Sequence, residues 1–199
     1  NRLIQNMISL NDVNPNRIYL MGYSAGGDGV YQLAPRMADR FAAAAMMAGH
    51  PNETSPLGLR NIGFTIHMGE NDSAYQRNVI AMEWESQLEK LKDNDLDGYH
   101  HLVIIHEDKG HWMGGLDSSA ISWISRFDRD PYPKKVVWKQ DDVTHNRFYW
   151  LRVKKPLKNS LIIASIKDQT ITIEKATVSN LIICLNDNLL NMDKNVIVK

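Results

Sequence analysis

The sequence predicts an α/β fold, in which a mostly parallel sheet is covered by helices and followed by a small all-β domain. Between residues 2 and 127, short β-prone runs alternate with segments of helical periodicity. This pattern is typical of parallel sheets, because each crossover between parallel strands needs a long connection. After Asp130-Pro131-Tyr132-Pro133 the chain has only short β-prone runs separated by Asn, Asp, Lys and Pro. We therefore expect two domains, residues 1–130 and residues 131–199.

The chain opens with apolar side chains at helical spacing, which predict an amphipathic helix over residues 2–10. A turn-rich break over residues 11–16 separates it from the β-prone run Arg17 to Met21. A helix follows after a few residues and is expected to run to about Ala38.

Three more strands are predicted, over residues 41–47, 62–68 and 101–106. The first of these runs is helix-compatible by propensity, but it is short and stops at Gly49-His50-Pro51, so a buried parallel strand fits the alternation better. Helices are expected at about residues 75–91 and 119–127.

The last third reads as a small antiparallel appendage, for which a β-sandwich is one arrangement. Its aromatic side chains Trp138, Tyr149 and Trp150 could bind carbohydrate, but core positions are the commoner place for such residues. The expected strands are residues 136–138, 148–153, 161–164, 170–173, 181–185 and 196–198.

Composition excludes several classes of partner. The 23 basic and 23 acidic side chains give a formal net charge of zero, which argues against a nucleic-acid or anionic-membrane surface as the main partner. No apolar window approaches the length of a membrane-spanning helix.

The stretch Gly22-Tyr23-Ser24-Ala25-Gly26 lies between the predicted strand and the helix that follows it. A serine at the apex of a sharp strand-to-helix turn is held in a strained conformation, so the positions two before and two after it are expected to lack bulk. The N–H of Ala25, at the helix N-terminus, then points to where a tetrahedral oxyanion would form. Glycines at this spacing also arise by chance, so the context of strand and helix is what gives the motif weight.

This segment resembles the nucleophile elbow of the α/β-hydrolase superfamily. Nucleophilic serine catalysis needs a base and a carboxylate that holds the base in the right tautomer. Asp72 and His111 follow two later strands, at the same carboxyl edge of the sheet as Ser24. Their chain order, Ser24, Asp72 and His111, is the order of this superfamily.

Glu70 and Asp108 are the alternative acids, and Asp72 is favoured because Gly69-Glu70-Asn71-Asp72 resembles the Gly-x-x-Asp acid turn of the superfamily. For the base, only Gly110-His111-Trp112 combines a glycine-flanked loop with a place after the last strand of the sheet. The other histidines are His50, His67, His100, His101, His106 and His145.

The resemblance covers residues 2 to about 127 and is closest to the dienelactone hydrolase, phospholipase/carboxylesterase and polyhydroxybutyrate-depolymerase-like esterases, with prolyl-oligopeptidase-type peptidases nearby. It implies a serine hydrolase that cleaves carboxylic esters through an acyl-enzyme, with Ser24 as nucleophile, His111 as base and Asp72 as orienting acid. Tyr23, His50 and Trp112 are candidates for the substrate pocket. No His, Asp and Glu set has metal-ligand spacing, so neither a metal nor another cofactor is expected.

In the superfamily, a loop after an early strand supplies the second oxyanion donor, and that part of the sheet should precede residue 1. We therefore expect a fragment of a longer protein, whose N-terminal segment is a partner for this one. The alternatives are a prolyl-oligopeptidase-type serine peptidase and a non-catalytic binding module with the hydrolase fold.

Overall fold

The structure, a computed structural model, describes residues 2–199. Its first sheet has four parallel strands in chain order, β1-β2-β3-β4. These are β1 (Tyr19–Tyr23), β2 (Ala43–Met47), β3 (Gly63–Gly69) and β4 (His101–His106). The α-helices of this part are α1 (Arg2–Asn11), α2 (Ala25–Arg36), α3 (Arg77–Asn94) and α4 (Ser119–Ile124). Short 3₁₀ turns occur at Ala38–Arg40, Pro56–Leu59, Ala74–Gln76 and Leu116–Ser118.

The predicted strand at residues 41–47 is confirmed, since Ala43–Met47 forms β2 and every one of its residues is buried. This segment forms a strand despite its helix propensity, because β2 lies between β1 and β3 and is covered on both faces. Its small apolar side chains then pack tightly against their neighbours. The predicted helix after β1 ends at Arg36, because Met37, with φ −132° and ψ 29°, leaves the helical region before the chain enters a 3₁₀ turn.

The two faces of the sheet belong to two hydrophobic clusters. On one face, the rings of Tyr31 of α2, Phe64 of β3 and Trp84 of α3 pack at tilted angles, with centroids 4.5 to 6.0 Å apart. On the other face, the alternate residues of β2 pack against α4 and Met113. The alternation of side chains along a strand produces this division.

The last third forms two further sheets, of strand order β11-β9-β8-β5 and β10-β7-β6. Their strands are β5 (Lys135–Lys139), β6 (Arg147–Phe148), β7 (Leu151–Arg152), β8 (Leu161–Lys167), β9 (Thr170–Ala176), β10 (Ile182–Ile183) and β11 (Ile197–Val198).

Two expectations about this region are wrong. Residues 148–153 are not one strand, because the chain reverses at Tyr149, whose φ is 51°, and β6 and β7 pair as a tight hairpin. The region is also not wholly antiparallel, because β11 pairs in parallel with β9. Hydrophobic alternation identifies strands but not their partners, which the tertiary fold selects.

The β-rich part packs against the parallel sheet through one continuous core that includes Trp138, Phe148 and Trp150. The Tyr149 hydroxyl donates to the Ala38 carbonyl at 2.9 Å. Arg36 of α2 forms a buried ion pair with Asp141 at 2.9 Å. Because the core is shared, the expected domain boundary between residues 130 and 131 stays a prediction.

Across residues 2–199, no helix has the length and apolarity required to cross a membrane.

Candidate active site

Ser24 lies at the sharp turn between β1 and α2, with φ 55° and ψ −120°. A residue with a side chain pays about 1–3 kcal/mol to occupy such a region, so the surroundings must hold it there. The Ser24 N–H donates to the Met47 carbonyl at 2.9 Å, and the Ser24 carbonyl accepts from the Asp28 N–H at 3.0 Å. The turn is thus fixed to the end of β2 on one side and to the first turn of α2 on the other.

Of the two glycines of the motif, only Gly22 has the role that the motif suggests. A Cβ at Gly22 would lie 2.1 Å from the Gly26 carbonyl oxygen, so this position requires glycine. A Cβ at Gly26 would meet nothing within 4 Å among the described residues. The expectation that the position two after Ser24 must lack bulk is therefore wrong, because only the backbone of Gly26 takes part in the contact. Gly27 and Gly49 instead face each other, with a Cβ on Gly27 falling 2.5 Å from the Met47 carbonyl oxygen.

The three residues expected to act together form one chain of hydrogen bonds. The Ser24 Oγ lies 2.9 Å from His111 Nε2, and His111 Nδ1 lies 2.7 Å from Asp72 Oδ2. Asp72 is buried, with a side chain 2% exposed, whereas the His111 side chain is 40% exposed. A neutral imidazole that donates from Nδ1 to the carboxylate presents its Nε2 lone pair to the serine hydroxyl.

The turn with Asp72 and the loop with His111 are fastened to each other. The Asn71 N–H donates to the Lys109 carbonyl at 2.7 Å. A Cβ at Gly69 would lie 2.0 Å from the Gly110 carbonyl oxygen, so glycine permits the close approach of the two segments. The separation of His111 and Asp72 thus depends on backbone contacts and not on the two side chains alone.

The alternative acids have other contacts. Glu70 Oε2 accepts the Asp108 N–H at 3.0 Å, which joins the same two loops but leaves both side chains away from the His111 bond. Of the other histidines, His67 and His106 contact each other, with His67 Nδ1 and His106 Nε2 3.1 Å apart. Burial of His67, together with the nearby His106, lowers the pKa of His67 to about 4. The pair is therefore neutral at neutral pH.

Tyr23 lies against the loop that contains His111 and Trp112, and neither Tyr23 nor Trp112 lines the cavity beside Ser24. The Tyr23 hydroxyl donates to the His111 carbonyl at 2.6 Å. The rings of Tyr23 and Trp112 are in a T-shaped arrangement, with their centroids 5.8 Å apart. Burial, with the Asp117 and Asp72 carboxylates nearby, raises the pKa of Tyr23, so the phenol remains a donor. Trp112 is 70% exposed.

A cavity of about 310 Å³ adjoins Ser24, and His50 lies in its wall as the sequence suggests. Ala25 is the first residue of α2, so its N–H has no partner within the helix and is available at the cavity. Four further wall residues were not found from the sequence, since they belong to no recognisable motif: Asp28, Asn52, Tyr75 and Arg77. Within residues 2–199, no group of three His, Cys, Asp or Glu side chains is arranged to hold a metal ion.

The sequence matches no family model and no curated protein. A solved thermostable esterase is similar in structure over 64% of this chain and 35% of its own, with a TM-score of 0.51 and 19% identity. Esterase PE8 is similar over 63% of this chain and 57% of its own, at 18% identity and a TM-score of 0.48. A carboxylesterase from Mesorhizobium loti is similar over 62% of this chain and 56% of its own, at 20% identity and a TM-score of 0.46.

The chain thus spans about a third of the length of the thermostable esterase. At this identity the likeness concerns the fold alone. Together with the parallel sheet and the sharp turn after β1, it leads to one conclusion: this chain has the α/β-hydrolase fold.

Proposed function

We propose that this chain carries the catalytic residues of a serine hydrolase that cleaves carboxylic esters through an acyl-enzyme. The observation that carries the proposal is the continuous hydrogen-bonded chain from Ser24 through His111 to the buried Asp72. A strained turn at Ser24 supports it, because backbone strain persists where the surroundings are built to maintain it. The name of the thermostable esterase agrees with this class of reaction.

In the first step, the Ser24 Oγ attacks the ester carbonyl carbon, while His111 Nε2 takes the hydroxyl proton. The imidazolium that forms is stabilised by Asp72 through the bond at Nδ1. The negative charge on the carbonyl oxygen is stabilised by the Ala25 N–H at the N-terminus of α2. The alcohol then leaves with the proton from His111, and Ser24 remains acylated.

In the second step, His111 Nε2 takes a proton from water, which attacks the acyl carbon. The tetrahedral species collapses, Ser24 recovers its proton from His111, and the carboxylic acid is released. The 40% exposure of the His111 side chain supports this role, since water must reach Nε2 in this step.

A second oxyanion donor is part of the proposal. We assign it to a strand-bearing segment of the same protein that pairs with β1, which is an edge strand of the described sheet. An apolar cleft of about 510 Å³ between α1, β1 and α2 supports the proposal, because an exposed edge beside apolar surface favours strand addition.

The experiment is covalent labelling with a fluorophosphonate, which reacts only with an activated serine. The protein is labelled and digested, and the modified peptide is identified by mass spectrometry. Labelling is expected at Ser24, to be lost in Ser24→Ala and strongly slowed in His111→Ala. Ser119→Ala is the matched control, because Ser119 lies outside the proposed site and its hydroxyl donates to the Leu116 carbonyl.

Labelling at another serine, or no labelling of folded protein when the segment that pairs with β1 is present, would refute the enzyme proposal and favour a binding module. A protein that labels is then given matched ester and amide substrates of one acyl group. Faster release from the ester is expected, while equal or faster release from the amide would favour the serine peptidase instead.

A further inference from the structure

The wall of the cavity beside Ser24 contains one cationic side chain that the reaction as described does not use. Arg77 is the first residue of α3, and its side chain is only 13% exposed. Its Nη1 lies 3.4 Å from Asp72 Oδ1 and 3.5 Å from the Ala74 carbonyl, both long contacts. Its Nε is buried and has no partner among the described residues. A guanidinium has five N–H donors, so most of its capacity is unused.

The segment before Arg77 is strained in a way that its own packing does not explain. Tyr75 and Gln76 are consecutive residues with φ of 55° and 57°, in the left-handed region. Tyr75 is 77% exposed, so burial of its ring does not offset the backbone strain. The Arg77 guanidinium lies over this ring, 4.9 Å from its centroid. Strain of this kind concentrates at segments that hold a ligand.

The charged groups around the cavity are Arg77 and the carboxylates of Asp28 and Asp72. Asp72 Oδ2 forms a hydrogen bond with His111 Nδ1 at 2.7 Å, and Asp28 Oδ1 accepts one from the backbone N–H of His50 at 2.7 Å. Each carboxylate has a donor nearer to it than Arg77, and the ion pair between Asp72 Oδ1 and Arg77 Nη1 is a long contact of 3.4 Å. The Arg77 guanidinium therefore has N–H donors free for a further acceptor. A carboxylate suits it best, because both groups are planar and two parallel N–H···O bonds can form.

We propose that Arg77, with Tyr75 beside it, is a specificity-determining residue that binds a carboxylate on the substrate. The proposal rests on the proposed ester hydrolysis at Ser24. The carboxylate and the scissile carbonyl must both fit in a cavity of about 310 Å³, so a short chain separates them. The substrate class is thus the monoesters of short dicarboxylic acids, in which the acyl part retains one free carboxylate.

The test is equilibrium binding, because it does not depend on turnover. Ser24→Ala protein is titrated with monomethyl adipate, which has one carboxylate and one ester, and with dimethyl adipate, which has the same chain and no charge. Calorimetry is expected to give at least tenfold tighter binding of the monoester. Adding Arg77→Met is expected to remove this preference, and Arg77→Lys to restore part of it.

Two further variants test whether the preference depends on charge at the cavity and not on the net charge of the protein. Arg126→Met removes an exposed cation that does not line this cavity, and it is expected to keep the preference. Asp28→Asn keeps an oxygen for the His50 N–H but removes a negative charge from the wall, so it is expected to tighten binding of the monoester alone. Unchanged circular dichroism spectra show that each variant folds.

The proposal is overturned if the two adipates bind equally, if neither binds, or if Arg77→Met keeps the preference in folded protein. Fluorophosphonate labelling separates this failure from failure of the proposed function. Labelling of Ser24 without a carboxylate preference leaves the hydrolase and removes the role of Arg77. A preference without labelling leaves a carboxylate-binding cavity and removes the hydrolase.

Discussion

Replacement of Gly22 by alanine tests the geometry that presents Ser24. The new Cβ would lie 2.1 Å from the Gly26 carbonyl oxygen, 2.4 Å from the Gly26 carbonyl carbon and 2.9 Å from the Val30 side chain. Two of these atoms are backbone, so no side-chain rotation relieves the overlap. Strand β1 and helix α2 must separate, and the turn between them carries Ser24.

The expected cost follows from these distances. Overpacking of a core costs about 1–3 kcal/mol, and a clash against rigid backbone falls at the upper end, so we expect about 3 kcal/mol for Gly22→Ala. For a chain of 199 residues this corresponds to a melting temperature lower by roughly 6–12 °C. Gly26→Ala has the opposite sign, because its Cβ meets no described atom within 4 Å and alanine is favoured over glycine in a helix by up to about 1 kcal/mol.

The two variants are compared by thermal unfolding and by the rate of fluorophosphonate labelling at Ser24. Gly22→Ala is expected to lower the melting temperature and to slow labelling at least tenfold in protein that is still folded. Gly26→Ala is expected to raise the melting temperature slightly and to label within twofold of the parent. Equal effects of the two substitutions would refute the assignment of the close contact to Gly22.

Three other predictions concern the base, a buried histidine and the contact between α2 and the β-rich part. Asp72→Asn favours the wrong tautomer of His111, so labelling of Ser24 is expected to slow by about 10³–10⁴-fold, and an unchanged rate would contradict the role of the acid. The pKa of His67 is lowered to about 4 from an ordinary 6.5, so the contribution of His67 to the free energy of unfolding by urea is expected to fall by about 3 kcal/mol as pH falls from 6.5 to 4, and to level off below; a His67→Gln variant with the same pH slope would contradict this. Arg36→Met leaves the buried Asp141 carboxylate without its nearest partner, so unfolding by urea is expected to require about 3 kcal/mol less, and adding Asp141→Asn is expected to recover part of the loss.

The four strands and main helices of the first part could be predicted because each has a local periodicity that agrees with its environment. Strand β4 shows the limit of this reasoning, since its run predicts a strand but not that it forms the edge of the sheet. In the last third, the turn at Tyr149 interrupts an apolar run whose sequence contains no turn signal. The turn could not be predicted, because Tyr149 is held at positive φ by its burial and by the hydrogen bond to the Ala38 carbonyl. The parallel partner of β11 was equally hidden, because it lies far away in the chain.

The residues of the candidate site also fall into two groups, those that the sequence predicts and those that only the structure reveals. Ser24, Asp72 and His111 could be named because each lies directly after a strand, and parallel strands bring those ends to one edge. Arg77 could not, because it reaches the cavity from a helix start, and only the contact with Asp72 marks it. Tyr23 and Trp112 were expected in the pocket from their neighbours in sequence, but in the structure Tyr23 contacts the loop that contains Trp112, and neither lines the cavity.

The sequence by itself determined the parallel α/β architecture, the sharp turn at Ser24 and the order of the serine, acid and histidine, because these follow from local patterns and from the direction of the strands. Only the tertiary structure decided which glycine permits the turn, which carboxylate meets His111, and which charged side chains surround the cavity. These depend on distances of a few ångström between segments far apart in the chain, and such distances are fixed by how the loops at the end of the sheet pack on one another.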